Sequence, residues 1–139
     1  MTAFQTSRKI SATPGQIFAA FAPERIVRWW GPDGFTQTSR ICEFWVGGRW
    51  SFTLHGPDGK DYANECVFAE IVEPTKVVIQ HVSEPKFRLT VTLEPTPEGA
   101  VVFWNQVFED PEVARGIEHI CVPANDQNLA RLEAEVFGR

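Results

Sequence analysis

The chain has 139 residues, of which 43% are hydrophobic and 22% are charged, with a formal net charge of −5 at pH 7. This composition is typical of a single globular domain spanning residues 1–139. The negative charge argues against nucleic acid or a membrane surface as a partner, and no apolar run approaches the roughly 18 residues that a membrane-spanning helix needs. We therefore expect a soluble, cytoplasmic protein.

Cysteine and histidine spacing predicts neither disulfides nor a metal site. Cys42, Cys66 and Cys121 are far apart and odd in number, and the three histidines have no cysteine or carboxylate neighbours at metal-ligand spacing. The sequence also shows no phosphate-binding loop and no nucleophile-elbow motif. We expect free thiols in a reducing compartment, no metal and no cofactor.

The first thirty residues predict one strand followed by two short helices. Polar and apolar residues alternate over 4–11, which is typical of a strand. Thr13 and Pro14 form an N-cap and a first-turn proline. A second helix is predicted over 23–30, again beginning with a proline.

Two adjacent tryptophans close the second helix. Trp29 and Trp30 carry large rings that either wall a cavity or pack in the core. Neighbouring residues of a short helix point in different directions, so we expect one ring to be exposed and to contribute to an interface. A homodimer is the expectation that follows from that exposed ring.

The stretch 47–72 predicts the hairpin around which the sheet is organised. A strand over 35–45 precedes it and ends at paired glycines. In the first arm Trp50 and Phe52 alternate with polar residues, which is typical of a half-buried strand. The sequence Gly-Pro-Asp-Gly at 56–59 then turns the chain into the second arm.

The second arm of the hairpin leaves the inward face undecided. Glu65 shares one face with Ala63 and Val67, while Cys66 and Phe68 lie on the other. If the Glu65 face points inward, its carboxylate lies in an apolar environment and is available for ligand contact or general acid–base catalysis. If it points outward, Glu65 is a surface residue.

Three further strands follow, over 75–82, 87–93 and 101–108. His81 shares a face with apolar residues of the first, and an inward position would let it transfer protons near neutral pH. A hydrogen-bonded structural histidine is the alternative. Trp104, on the last of these strands, is a candidate for the wall of a cavity.

The last segment predicts helical structure. Asp110 and Pro111 form an N-cap and a first-turn proline. Pro123 lacks an amide donor and clashes with the preceding turn, so it kinks one helix or separates two. His119 precedes this point, and Asn125 begins a face that carries the last apolar residues at helical spacing.

Taken together, the predicted order is one strand, two short helices, six strands of an antiparallel meander and a long terminal helix. Runs of strands with the helices set apart are typical of the α+β class. We expect a curved antiparallel sheet wrapped around a long C-terminal helix. Such a sheet leaves a cavity between itself and the helix, which is a common location for ligands.

Several short motifs, spread over nearly the whole chain, form a combination known from one family. They are Pro23-Glu24-Arg25, Trp29-Trp30-Gly31-Pro32, Gly34-Phe35, Gly47-Gly48-Arg49-Trp50, His55-Gly56-Pro57-Asp58-Gly59, Asp61-Tyr62, Asn64-Glu65 and Gln127-Asn128-Leu129 with Arg131-Leu132. With them the chain resembles the helix-grip fold of the START-like (SRPBCC) superfamily, which includes the Bet v allergens and polyketide cyclases. Within it, the chain is similar to the single-domain bacterial homologues of the heat-shock protein 90 ATPase activator family.

The resemblance implies three functions, because this superfamily hosts binders, carriers, cyclases and co-chaperones on one scaffold. The first is binding of a small hydrophobic or aromatic ligand in the cavity between the sheet and the C-terminal helix. The second is a cyclase or hydratase-type enzyme, which needs Glu65, His81 or another ionisable pair to meet in that cavity. The third is a co-chaperone-like activator of a heat-shock protein ATPase. It ranks last, because the eukaryotic co-chaperone's additional N-terminal domain has no counterpart in this sequence.

The expected partner is a small apolar or aromatic molecule, and the candidate cavity residues are those that place a ring or a polar group on a predicted inward face. They are Trp29, Trp50, Phe52, Glu65, His81, Trp104, His119 and Asn125. Two segments depart from the family pattern, at 45–46 before the paired glycines and at 122–125 before the last helical face. Both changes would alter the shape of the cavity or of its mouth.

Overall fold

The computed structural model describes residues 3–139 of the chain. Seven strands and three α-helices lie within this range. The strands are β1 (Ala3–Ile10), β2 (Thr36–Cys42), β3 (Arg49–His55), β4 (Asp61–Val72), β5 (Lys76–His81), β6 (Phe87–Thr96) and β7 (Gly99–Phe108). The helices are α1 (Pro14–Phe18), α2 (Pro23–Trp29) and α3 (Pro111–Val136), with a turn of 3-10 helix at Ala19–Phe21.

The strands form one antiparallel sheet in the order β1-β7-β6-β5-β4-β3-β2. Strands β2 to β7 pair with their neighbours along the chain, because short turns join antiparallel strands directly. Strand β1 completes the sheet by pairing with β7, from Ala3 opposite Val107 to Ile10 opposite Ala100. The predicted α+β class is confirmed as a curved sheet with a long C-terminal helix.

The N-terminal helices begin where the sequence places them. The Thr13 hydroxyl accepts a hydrogen bond from the Gln16 amide nitrogen at 3.1 Å, and the Gln16 side chain accepts one from the Thr13 amide at 2.8 Å. This capping box satisfies two amide donors at the start of α1. Pro14 and Pro23 each occupy the first turn of a helix, where the missing amide is not needed.

The expectation that one of the paired tryptophans is exposed was wrong. Trp29 is 1% exposed and Trp30 is 8% exposed. Trp30 lies just beyond α2 with an extended backbone (ψ 125°), so its ring leaves the helix in a new direction. The Trp29 indole donates to the Ala20 carbonyl at 2.8 Å, while the Trp30 ring packs on Trp50 and Trp104 at 5.0 and 5.4 Å between centroids.

The strand predicted over 35–45 is shorter in the structure. Strand β2 ends at Cys42, and the chain then folds back so that the Gly48 amide donates to the Trp45 carbonyl at 2.8 Å. A Cβ atom at Gly48 would lie 1.9 Å from the Glu43 carbonyl oxygen, so this turn requires glycine. Trp45 lies on the turn and is 61% exposed.

Helix α3 runs without interruption through Pro123. The Asp110 carboxylate caps it by accepting from the Glu112 amide at 2.9 Å. Pro123 is exposed, so the carbonyl that it deprives of a helical donor can bond to water. Leu129 and Leu132 bury the face that packs on the sheet. No helix in residues 3–139 is both long and apolar enough to cross a membrane.

Candidate functional site

A cavity of about 210 Å³ lies between the sheet and α3. The loop after α2 forms one end, strands β3 to β7 form the floor, and the middle of α3 forms the roof. Its lining residues are Trp30, Gly31, Pro32, Phe52, Leu54, Asn64, Cys66, Ile79, His81, Phe87, Leu89, Trp104, Gln106, Ile120, Cys121, Ala124, Asn125 and Asn128. Ile120 is 57% exposed, so the cavity opens to solvent beside the middle of α3.

Aromatic and aliphatic side chains form most of the cavity wall because strand alternation directs them to one face of the sheet. On β3, Phe52 faces the cavity, and the Trp50 ring packs on it at 4.2 Å between centroids with the two ring planes tilted by 30°. On β7, Trp104 lies on the same face, and Leu89 of β6 lies beside it in the wall. A largely apolar wall of this kind favours apolar ligands.

Three polar side chains meet where β7 faces α3. The Asn125 side-chain nitrogen donates to the Gln106 side-chain oxygen at 3.0 Å. The buried Gln106 side chain lines the cavity wall. The Trp104 indole N–H is buried and lacks a partner within residues 3–139. A buried donor left unpaired costs about 1–3 kcal/mol, so the Trp104 N–H lowers the stability of the fold by about that amount.

The His81 side chain is buried and both its ring nitrogens have partners. Nδ1 lies 2.9 Å from the Ser83 and Pro85 carbonyl oxygens, so it carries a hydrogen and donates. Nε2 lies 2.7 Å from the Asn64 side-chain oxygen. Burial lowers the pKa of His81, against the opposing influence of the two carbonyls and of the Glu84 charge. His81 is therefore neutral at pH 7, with a ring anchored to the protein rather than free to move.

Cys66 lies directly across from His81 in the β4–β5 register, and both line the cavity. Burial, with a smaller contribution from the charge of Glu65, raises the pKa of the Cys66 thiol to about 12. Burial also raises the pKa of Cys121 on the opposite wall. Because the thiolate is the reactive form and both His81 nitrogens are already engaged, this pair is not an activated nucleophile.

The structure places Glu65 on the face of the sheet away from the cavity, which corrects its assignment as a cavity residue. Its neighbours in the strand, Asn64 and Cys66, face the cavity, and alternation therefore turns Glu65 outward. Its carboxylate accepts from the Ser51 hydroxyl at 2.7 Å and from the Arg40 guanidinium at 3.3 Å. The Glu65 side chain is 41% exposed and serves a hydrogen-bonded cluster on the outer face.

Three other candidates also lie outside the cavity. Trp29 and Trp50 are buried in the core behind the wall, where they support Trp30 and Phe52. His119 is exposed on the outer side of α3, in a shallow depression beside Pro123.

Phe52, His81, Trp104 and Asn125 are the candidates that the structure brings together around the cavity. Several lining residues were not selected from the sequence, although a pattern was available for some. Gln106 is a polar residue on the inward face that Trp104 defines on β7. Asn128 follows Asn125 by three positions, which places both on one face of a helix. The position of the Trp30 ring in the cavity wall depends on the backbone direction after α2, which no sequence pattern shows.

The loop that closes one end of the cavity is held by two side chains of α3. Asn128 donates to the Trp29 carbonyl at 3.0 Å and accepts from the Gly31 amide at 3.2 Å. The Arg131 guanidinium donates to the Gly31 and Pro32 carbonyls at 2.8 and 2.7 Å. These bonds fix the position of Trp30 against the cavity because they satisfy the backbone on both sides of it.

A second depression, of about 660 Å³, lies at the surface between α1, α2 and the loop after β2. Phe18, Phe44 and Trp45 contribute its apolar part, and Glu24 and Arg25 lie on its edge. It is larger than the cavity between the sheet and α3 but much more open to solvent. Ligand sites are usually enclosed on most sides, so we regard the smaller cavity as the candidate ligand site.

Comparison with known proteins agrees with this architecture. The family model described as Activator of Hsp90 ATPase homolog 1-like protein matches residues 11–136. The chain belongs to this family. Members of the family have a START-type fold, as the motif pattern predicted. A sequence comparison with curated proteins finds no match.

Solved structures of low sequence identity share the fold over almost the whole chain. A protein from Nitrosomonas europaea has a TM-score of 0.88 at 15% identity, covering 98% of this chain and 94% of its own. One from Arthrobacter aurescens has a TM-score of 0.89 at 22% identity, with 99% and 87% covered. The AHSA1 protein from Silicibacter pomeroyi has a TM-score of 0.77 at 18% identity, with 97% of each chain covered. At these identities the likeness shows the fold alone.

Proposed function

We propose that this protein binds a small hydrophobic or aromatic ligand in the cavity between the sheet and α3. The observation that carries the proposal is a space of about 210 Å³ between the sheet and α3 whose wall is mostly aromatic and aliphatic. Apolar cavities of about 150 Å³ stay dry and accept a benzene ring. The volume therefore suits one substituted aromatic ring, and burial of the ring would supply the affinity.

Acid–base catalysis in the same cavity has less support. The predicted pair of Glu65 and His81 does not meet there, because Glu65 lies on the outer face of the sheet. The two ring nitrogens of His81 are bonded to the protein, and Cys66 remains a protonated thiol. A general acid or base must reach the reacting atom with a free nitrogen or oxygen, so we rank binding first.

Partners and location remain part of the proposal. The small ligand is the partner that the cavity supports, while activation of a heat-shock protein ATPase rests on the family description alone. A homodimer stays a prediction, and Trp45 rather than Trp29 or Trp30 now offers an exposed ring for it. Cytoplasmic location is supported by three free cysteines, which a reducing compartment would maintain.

The test of ligand binding is a substitution that fills the cavity. Ala124 lines the cavity from α3, so Ala124→Phe would place a ring inside the space. We expect titration calorimetry to show toluene binding to the unmodified protein and at least about tenfold weaker binding to Ala124→Phe, equivalent to about 1.4 kcal/mol. The matched control is Val122→Phe, which adds a ring at an exposed position of the same helix.

The control should bind toluene as the unmodified protein does. Equal affinities in all three proteins would place toluene elsewhere, and no binding to the unmodified protein would reject the cavity as an apolar ligand site. Native mass spectrometry of the purified protein provides an independent measurement. It should detect a co-purified molecule of single-ring size in the unmodified protein but not in Ala124→Phe.

A further inference from the structure

We propose that the first half of α3 is a lid, which opens by local unfolding to admit the ligand while the second half of the helix stays folded. The lid segment consists of residues 111–122, and Pro123 marks its boundary. This inference rests on the proposed binding function and specifies how the ligand reaches the cavity. The arrangement described above is the closed one.

The two halves of α3 differ in burial. Nine of the thirteen residues 111–123 are exposed, and Ala114 is the one buried residue among them. Of the thirteen residues 124–136, one is exposed and three are buried. Packing of a buried face supplies most of the stability of a helix in a protein. The first half is therefore held much less strongly than the second.

Side-chain hydrogen bonds and ion pairs between α3 and the rest of the protein follow the same division. They come from seven α3 residues between Asn125 and Glu135. Among them, Glu133 pairs with Arg8 at 2.8 Å and Glu135 with Arg25 at 3.0 Å. Within residues 3–139 the lid segment forms none to another element, since its one ion pair joins two of its own residues. The second half is thus tied to the fold without the first.

Pro123 lies where the two halves meet. It has no amide hydrogen, so the helical hydrogen bond to the His119 carbonyl is missing. Gly116 lies within the lid segment, and glycine is among the residues least favourable to a helix. The link between the two halves is therefore weakest at the point where the tertiary contacts of the second half begin.

The lid segment contributes the part of the roof that lies beside the opening of the cavity. Ile120 and Cys121 line the cavity from this segment, whereas Ala124, Asn125 and Asn128 line it from the second half. Ile120 is 57% exposed and borders the opening. A binding site usually encloses most of its ligand, so an entering ring passes beneath Ile120 and Cys121. Unfolding of the lid segment removes both side chains from this path.

Native-state hydrogen exchange of the unmodified protein measures the opening without any ligand. After correction for intrinsic rates, the amides of residues 115–122 should exchange at least about a hundredfold faster than those of 128–132, because local opening is more frequent than global unfolding. Equal rates in the two groups would show that α3 unfolds as one unit. That result would overturn the lid and leave ligand binding intact.

Two alanine-to-glycine substitutions, one on each side of Pro123, provide matched variants. Ala130→Gly should accelerate exchange of residues 128–132 roughly fivefold and leave the rates of 115–122 unchanged, because residue 130 stays helical when the lid segment opens. Ala114→Gly should accelerate both groups roughly fivefold, because local opening and global unfolding both release residue 114. Acceleration of both groups by Ala130→Gly would contradict separate opening.

Toluene tests whether the opening controls access to the cavity. A ligand that binds only the closed protein, at ten times its dissociation constant, slows every opening that releases it by about tenfold. We expect toluene to slow exchange of residues 115–122 and 128–132 by this same factor. Slowing of 128–132 alone would show that toluene stays bound while the lid segment is open, which would overturn the gating role. If toluene does not bind, the proposed function and the gating role are both rejected, and the rates without ligand still decide whether the segment opens separately.

Discussion

The surroundings of the buried His81 side chain determine both the position of its ring and its protonation. Its Nδ1 hydrogen bonds to two carbonyls of the β5–β6 turn, and its ring stacks on Phe87 at 4.5 Å between centroids. Its Nε2 faces the Asn64 side-chain oxygen, an arrangement that suits a doubly protonated ring. Burial opposes this and lowers the pKa. The protonation of His81 and the orientation of the Asn64 amide are therefore linked.

The lowered pKa predicts the direction of a pH effect on stability. Below pH 6.5, the ordinary value for histidine, the unfolded chain binds a proton at His81 that the folded chain resists. The resulting stability is present above pH 6.5 and is lost as the pH falls through the folded-state pKa. We expect urea denaturation to show a larger loss of unfolding free energy between pH 7.5 and 5.0 for the unmodified protein than for His81→Gln.

A direct titration provides the control for this effect. The ring resonance that disappears in His81→Gln should titrate in the unmodified protein with a midpoint below 6.5. A midpoint at or above 6.5 would contradict the lowered pKa. It would mean instead that the acceptors around the ring outweigh its burial. With a midpoint above 6.5, the unmodified protein should lose less unfolding free energy than His81→Gln between pH 7.5 and 5.0.

Helix α3 is the element whose continuity the sequence left open. Pro123 interrupts the helical hydrogen bonds in the segment that forms the cavity roof, yet the helix continues from Pro111 to Val136. Packing of Leu129 and Leu132 on the sheet stabilises the second half of the helix independently of the first. Tertiary contacts therefore compensate for a local residue that disfavours the helix.

The proline should nevertheless cost stability. A proline in a helix interior is about 3 kcal/mol less favourable than alanine. At an exposed position the cost is smaller, because water can bond to the carbonyl that lacks a helical donor. We expect Pro123→Ala to raise the free energy of unfolding by about 1–3 kcal/mol in urea denaturation. Val122→Ala, an exposed substitution on the adjacent residue, should change it by less than about 1 kcal/mol. Destabilisation by Pro123→Ala would show that the proline ring makes a packing contact that the helix requires.

At the scale of the whole molecule, the cavity is bounded by three parts of the fold, which hydrogen bonds and packing hold in place. The sheet forms the floor and α3 the roof, while Asn128 and Arg131 fix the loop after α2 at one end. A ligand in this space contacts all three, so its binding free energy adds to the stability of the whole fold. Ligand binding should therefore be visible in global unfolding.

The cavity volume predicts which ligands stabilise the fold. Acetophenone at ten times its dissociation constant should add about 1.4 kcal/mol, which for a chain of this length raises the thermal midpoint by about 5 °C. The three-ring ketone 2-acetylanthracene should give no comparable shift, because it exceeds a space of about 210 Å³. Scanning fluorimetry of both compounds measures this. An equal shift with the larger ketone would indicate binding at the open surface depression rather than in the cavity.

Sequence pattern alone determined the class of fold and the position of most elements. Alternation set the strands, proline and capping residues set the helix starts, and the hairpin turn at 56–59 set the centre of the sheet, because these signals act within a few residues. The motif combination identified the family. Phe52, Trp104 and Asn125 were also found in this way, since each lies on a face that local periodicity defines.

Tertiary structure decided which side chains line the cavity and which are buried elsewhere, because both depend on which face of each element packs against the rest of the fold. Glu65 and Cys66 are equally compatible with an inward position in sequence, and only the pairing of β4 with its neighbours turns Cys66 toward α3. The burial of both Trp29 and Trp30 followed from a change of backbone direction at the end of α2. The cavity that Trp104 and Gln106 line from β7 exists only where this strand passes beneath α3, since a ligand site requires groups from separate elements to meet in space.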